Sequence, residues 1–266
     1  MSPGRRLAVV TGGNKGIGYY IAAQLLAAGH DVIIGCRSAE RGEAAAAALG
    51  AGCTAARLDI SDSSSIAQFV EAMHTQHPAL HVLVNNAGIA FKSSDTTPFA
   101  KQTRTTLRTN YEGTVEITAA LLPLLRKADN PRIVSVASMA GKLKQLSPEL
   151  QHAFASESLT LPKLNELVAQ FEADVDAGKH RERGWSNSNY GLSKLAVIAF
   201  TKVLARDESS ILVNACCPGY CDTDMTSHNG PRPAEVGART AVALALLPSG
   251  SSVTGQFWEN EQPSTW

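Results

Sequence analysis

The stretch that most narrows what this chain can become lies near its start. Leu7-Ala8-Val9-Val10 is a short apolar run, and Thr11-Gly12-Gly13-Asn14-Lys15-Gly16-Ile17-Gly18 follows at once. A helical pattern at Ile21, Leu25 and Leu26 comes next, closed by Gly29. Strand, glycine turn and helix in this order are the context that a dinucleotide-binding fingerprint requires. The glycines permit a tight turn and a close backbone approach. The helix start offers free N–H groups and the positive end of a dipole to phosphates. An ordinary glycine loop has the same composition, but it lacks the strand before and the helix after.

The rest of the chain repeats the alternation. Asp31 to Cys36 reads as a second strand, Cys53 to Leu58 as a third, His81 to Val84 as a fourth, Ile133 to Ala137 as a fifth, Ile211 to Cys216 as a sixth and Val253 to Trp258 as a last short one. Helical patterns separate them, including the alanine-rich Glu40 to Leu49, Phe99 to Lys127 as one long helix, a helix opening at Tyr190, and Ala234 to Leu247. The expected fold class is α/β, a doubly wound, mostly parallel seven-stranded sheet of the Rossmann type. With no internal repeat and no linker, residues 1–266 read as one domain. Asn110 stands inside the long helix, where asparagine is a poor interior residue: it either faces solvent or has a task.

The end of the second strand bears on the choice of cofactor. An NAD site places an acid there for the ribose 2′-hydroxyl. Here the strand ends in Cys36 and Arg37, with Lys15 nearby in the glycine loop and Arg41 one helical turn on. A 2′-phosphate suits that charge, so NADPH is expected over NADH; Arg41 is equally well a solvated surface charge.

Lys plus Arg and Asp plus Glu number 24 each, which points to no polyanionic or membrane-surface partner and so to no nucleic acid. No apolar run approaches the ~20 residues of a membrane span. The apolar part of the basic start, MSPGRRLAVV, is too short for a signal peptide and runs into the glycine loop. Five cysteines, two of them adjacent, make no disulfide framework and no metal-ligand spacing. A reducing compartment, the cytosol, is the expected location.

Tyr190 and Lys194 form a Y-x-x-x-K spacing, which on a helix sets a phenol and an ammonium on one face. A nearby ammonium favours the phenolate, so the pair is a candidate acid–base device. Four motifs stand in register: TGGNKGIG, NNAG from Asn85 to Gly88, Ser138 with Y-x-x-x-K, and Pro218-Gly219. Together they resemble the short-chain dehydrogenase/reductase family over nearly the whole chain. LVNNAGIAFK (83 to 92), SPELQ (147 to 151), NACCPGY (214 to 220) and TDM (223 to 225) resemble its monomeric NADPH-dependent carbonyl reductases.

The resemblance implies a role for each matching position. Tyr190 would be the general acid toward a small-molecule carbonyl oxygen. Lys194 would lower its pKa and bond the nicotinamide ribose, Ser138 would donate to the same oxygen, and Asn110 would hold a water next to Lys194. Gly12, Asn14, Lys15, Gly16 and Ile17 would cradle the phosphates. Arg37 would take the 2′-phosphate and Asp59, with Ile60, the adenine. Asn86, Ala87 and Gly88 would line the adenosine ribose side. Pro218, Gly219, Cys221 and Thr223 would meet the nicotinamide and pyrophosphate. On the substrate side the resemblance points to Tyr220, which stands where animal members carry tryptophan, and more weakly to Phe91, Lys92 and Gln102. Ser138 and Tyr190 stand 52 positions apart, far more than the wider family needs. The resemblance implies a helical insertion over about 141–189 that covers the face used for tetramers elsewhere, hence a monomer. Cys216, Cys217 and Cys221 are either inert buried thiols or oxidisable groups at the substrate mouth. Two other activities fit the branch less well: reduction of an enone, against which Tyr190 argues, and a nucleotide sensor without turnover.

Overall fold

A computed structural model describes residues 4–266; Met1 to Pro3 of the basic start lie outside the described residues. The first half of the chain runs β1 (Leu7–Thr11), α1 (Gly16–Ala27), β2 (Asp31–Cys36), α2 (Ala39–Leu49), β3 (Cys53–Arg57), α3 (Ser63–Gln76) and β4 (Val82–Asn85). It continues through α4 (Phe99–Leu107), α5 (Gly113–Leu125), β5 (Arg132–Val136), α6 (Pro148–Ala155), α7 (Leu161–Asp176) and α8 (Asn189–Asp207). Then come β6 (Leu212–Cys217), α9 (Ala234–Ala245), β7 (Phe257–Glu259) and β8 (Gln262–Pro263).

One sheet takes the order β3-β2-β1-β4-β5-β6-β7-β8. Every neighbouring pair is parallel except β7 with β8. Strand order reverses between β1 and β4, which opens a crevice at their carboxyl ends. Strands β1, β2, β4 and β5 are buried along their whole length, because helices cover both faces of the sheet. Ile21 and Leu25 of α1 share one core with Ala238, Val242 and Leu244 of α9. Phe69, Leu121, Leu195 and Phe200 lie in the core on the opposite face.

The sheet has eight strands instead of seven. The last expected strand starts four residues late, at Phe257, and turns back through Asn260 (φ 52) and Glu261 (φ 61) into β8. Two successive left-handed residues make the turn that suits a two-residue hairpin. Residues 253–256 are held to β6 by both backbone and side chain: Gly255 N donates to Val213 O at 2.7 Å, Ala215 N to Gln256 O at 2.9 Å, and Asn214 Nδ2 to the Val253 carbonyl at 2.8 Å.

The long helix is also interrupted. Between α4 and α5 the chain makes a π-helical turn, Arg108–Glu112, with Asn110 at its centre. Asn110 is 1% exposed, and its amide clasps a distant backbone: it accepts from Ile89 N at 2.8 Å and donates to Ile89 O at 2.9 Å. Gly113 comes so close to the 60–61 segment that a Cβ there would overlap the Ile60 carbonyl.

The segment about 141–189 holds α6 and α7. Ser147 and Thr160 cap them, and proline sits in the first turn of each. Leu164, Val168 and Phe171 of α7 are buried in the core that α8 shares. Asp174, 2% exposed, accepts from Trp185 Nε1 at 2.8 Å, Arg183 Nη1 at 2.5 Å and Gln170 Nε2 at 2.9 Å. These bonds tie down the strap that leads into α8.

Candidate active site

A cleft of about 710 Å³ opens at the carboxyl ends of β1, β2 and β4. Gly12, Asn14, Lys15, Gly16, Ile17, Arg37, Asp59, Ile60, Asn86, Ala87, Gly88 and Thr223 all line it, as does Lys92. Gly12 (φ +67) lies so close to the NNAG turn that a Cβ would sit 3.0 Å from the Ala87 Cα. The two turns are stitched together. Asn86 N and Ala87 N both donate to Thr11 Oγ1 at 3.0 Å, and Asn86 Nδ2 donates to Thr11 O at 2.9 Å. Helix α1 starts with no side-chain cap and no acid in its first turn, so its leading N–H groups remain open to an anion. The exposed Arg37 follows β2 with no acid beside it, whereas Arg41, also exposed, is not among the lining residues. A cradle too tight for Cβ atoms, an uncapped helix start and an arginine at the β2 end fit a phosphorylated dinucleotide.

Lys15 does not stand free. Its Nζ pairs with Asp224 Oδ2 at 2.5 Å, across from the loop after β6. Asp224 also meets His228 Nε2 at 3.1 Å, and His228 Nδ1 meets Asp222 Oδ1 at 2.6 Å. Hydrogen bonding to Lys15 holds the Asp224 carboxyl below its usual range, and the two acids raise the His228 imidazole. All four side chains are more than half exposed, so solvent screens the network.

Beyond the cleft, Ser138, Tyr190 and Lys194 converge. Ser138 follows β5; its Oγ accepts from Ala140 N at 3.1 Å, which leaves the hydroxyl hydrogen free to donate elsewhere. Tyr190 lies in the first turn of α8, where Ser188 caps the helix by accepting from Gly191 N at 2.9 Å. Lys194 is 5% exposed; its Nζ donates to Val136 O at 2.8 Å and lies 5.7 Å from the centre of the Tyr190 ring. Asn110 Nδ2 reaches Ser193 Oγ at 3.0 Å, and Ser193 Oγ donates to Tyr190 O at 2.8 Å. The clasp on Ile89 thereby extends into α8.

Burial governs both titrations. The Tyr190 phenol is pushed up to about 12 by desolvation, and the neighbouring Ser138 hydroxyl opposes this as the smaller effect. Desolvation pushes Lys194 down to about 8. The lowering of Tyr190 expected from the Y-x-x-x-K spacing is therefore reversed, because spacing registers the ammonium and not the loss of water. A phenol that keeps its proton at pH 7 is the form from which an acid donates.

The other expected positions divide. Pro218 is buried, and Gly219 (φ +83) packs under the Arg232 guanidinium, which donates to Pro218 O at 3.0 Å. Cys221, 2% exposed, turns inward and its thiol donates to Pro218 O at 3.2 Å. The Cys216, Cys217 and Cys221 thiols are all buried and all raised by desolvation, which disfavours thiolates. Tyr220 is 58% exposed on the loop beyond Gly219. Gln102, in the first turn of α4, donates to Thr97 O at 2.8 Å just before the helix; neither it nor Phe91 lines the cleft. Sequence reasoning passed over Ser193, whose partner Asn110 lies on another element, and over Asp222 and His228, which pair within the loop after β6; Cys217, singled out there as a thiol, accepts through its Sγ from Met139 N at 3.3 Å. Asp224 was visible within TDM, but its partner Lys15 was not. Among the described residues no cluster of metal-ligating side chains occurs, and no helix is long and apolar enough to cross a membrane.

A family profile described as short chain dehydrogenase matches residues 6–149 and 176–233. Carbonyl reductase (NADPH) 1 of Sus scrofa is 41% identical over 280 aligned positions, covering 100% of this chain and 96% of that protein. The Homo sapiens protein of the same name is 41% identical, with both chains covered in full. Among solved structures, salutaridine reductase from Papaver somniferum superposes with a TM-score of 0.89 at 30% identity, covering 96% of this chain and 99% of that one. Menthone neomenthol reductase from Mentha piperita gives 0.84 at 31% identity, covering 97% and 100%.

Proposed function

Because the chain belongs to the short-chain dehydrogenase family, we propose that it is an NADPH-dependent reductase of small-molecule carbonyl compounds, ketone, aldehyde or quinone. The observation that carries this reading is the meeting of a protonated Tyr190, Ser138 and Lys194 beside a phosphate-fitted cleft with Arg37 at its far end. Relatives named for NADPH-dependent carbonyl reduction, matched over their whole length, support it.

The glycine loop, the start of α1, Arg37 and the NNAG turn would hold NADPH, which would supply hydride chemistry toward a carbonyl carbon when bound. Tyr190 gives its proton to the carbonyl oxygen, so that hydride and proton together make the alcohol. Ser138 donates a hydrogen bond to the same oxygen as charge grows there. Lys194 stands one turn along α8 and favours the phenolate left behind, and Asn110 fixes the Ile89 backbone and Ser193 around them. Tyr220 is the wall nearest an incoming substrate. Phe91 and Gln102, like Tyr220, lie outside the lining of the nucleotide cleft and would belong to the substrate side.

The same reading has the chain act as one unit and as a monomer, with α7 over the face of α4 and α8. Five free cysteines support a reducing compartment, the cytoplasm. The test is loss of NADPH absorbance with a panel of quinones, isatin and enones, run with wild type and Tyr190→Phe. Turnover of the carbonyls that Tyr190→Phe loses by at least about a hundredfold is the expected result. Tight NADPH binding without turnover of any compound would instead make the protein a nucleotide sensor.

A further inference from the structure

The turn that carries Ser138 is pinned at three successive residues. Met139 N donates to Cys217 Sγ at 3.3 Å, the Ala140 carbonyl accepts from Gln145 Nε2 at 2.7 Å, and the Gly141 carbonyl accepts from Trp266 Nε1 at 2.9 Å. The third pin comes from 125 positions away in sequence. Its indole packs with Met139 on a small core of Ala137, Val197, Ile198, Ala215, Cys217 and Phe257. Lys202 Nζ stands over the ring, 5.6 Å from its centre. Behind this turn is α8 itself: a Cβ at Gly141 would lie 2.7 Å from the Lys194 carbonyl carbon. The carbonyl that Trp266 holds thus belongs to the residue seated on the backbone of Lys194, one turn from Tyr190.

We propose that Trp266 is a positioning residue for the reaction. Its N–H holds Gly141 against α8 and so sets Ser138 at its working distance from Tyr190. The indole touches neither substrate nor cofactor in this role. It acts through the turn, where a displacement of about 1 Å is enough to cost a catalytic hydrogen bond much of its effect. The inference rests on the assignment of Ser138 made above.

Trp266→Phe tests it, because phenylalanine keeps an aromatic ring in the same core and loses the donor. The expected result is a fall in kcat for isatin of roughly threefold to tenfold, the range of one ordinary hydrogen bond. The dissociation constant of NADPH, read by fluorescence, stays within about twofold, and the isotope effect with NADPH deuterated at the transferred position increases. In a Ser138→Ala background the same substitution has no further effect on kcat, since the residue it positions is gone. Amide exchange rises in residues 138–145 and not in residues 7–18.

An equal loss of kcat in both backgrounds overturns the proposal, as does no loss in either. A Trp266→Phe protein that fails to fold, or whose exchange rises everywhere, makes the indole a plain core residue and overturns it too. Full activity of Ser138→Ala alone defeats the assignment of Ser138 instead, and is recognisable without any change at Trp266.

Discussion

Lys194 is held where a lysine is least at ease. Its folded pKa of about 8 against 10.5 in the open chain amounts to about 3 kcal/mol set against the charged form at neutral pH. Between those two values the unfolded chain binds more protons, so this group makes stability rise with pH from about 8 to 10.5. Tyr190 has the opposite sign: with a folded value of about 12 against 10.0, it makes stability fall above pH 10. Lys194→Met, which keeps the aliphatic stem and removes the charge, is expected to melt about 2–4 °C higher at pH 7 while turnover is lost. That gain should shrink as the pH is raised from 8 to 10 in urea titrations of both proteins. A variant that melts lower at pH 7 would show that the bond to Val136 O outweighs burial. The Y-x-x-x-K spacing was legible in the sequence because a helix fixes its geometry. The direction of the tyrosine shift was not, because it depends on the burial of the phenol in the assembled fold.

Elements bend here for reasons that cross the chain. The long helix expected from Phe99 to Lys127 has the right composition, and the π-helical turn inside it exists because Asn110 clasps Ile89 and Gly113 meets Ile60. A sequence displays Asn110 and Gly113 and cannot display their partners. Gly113→Ala should force the two segments apart and destabilise the fold by about 1–3 kcal/mol, read as a lower urea midpoint. An unchanged midpoint would mean the bend yields cheaply. The insertion is anchored as well: Asp174→Ala leaves the buried Trp185 Nε1 without its acceptor and releases the half-exposed Arg183, and should cost about 1–3 kcal/mol. The helical insertion over about 141–189 was legible through the family resemblance, but the buried carboxylate of Asp174 carries no sequence signature.

At the scale of the molecule, the glycine loop, the NNAG turn, Arg37 and the alternation of strands and helices could all be found in the sequence, because each is local or periodic. The eighth strand could not be found there, since its turn uses Asn260 and Glu261 in place of glycine. With α7 packed over α4 and α8, light scattering should give a monomer mass at micromolar concentration; a dimer or tetramer mass would count against the covering role. The pair between Lys15 and Asp224 also has a reach beyond its two residues, as it competes for the charge that a 2′-phosphate would use. Asp224→Asn should therefore bind NADPH more tightly and lose more of that affinity when salt is added, as titrations between low and high ionic strength would reveal.

The bond between Trp266 and Gly141 also sets an order in time. A ribosome delivers the glycine loop and the first strands early, then Ser138, then Tyr190, and only much later the indole. A growing chain that has passed Ala234 thus owns every residue that lines the nucleotide cleft while its turnover still runs below the full rate. The last increment of rate would arrive with the residue that is synthesised last of those that brace the serine.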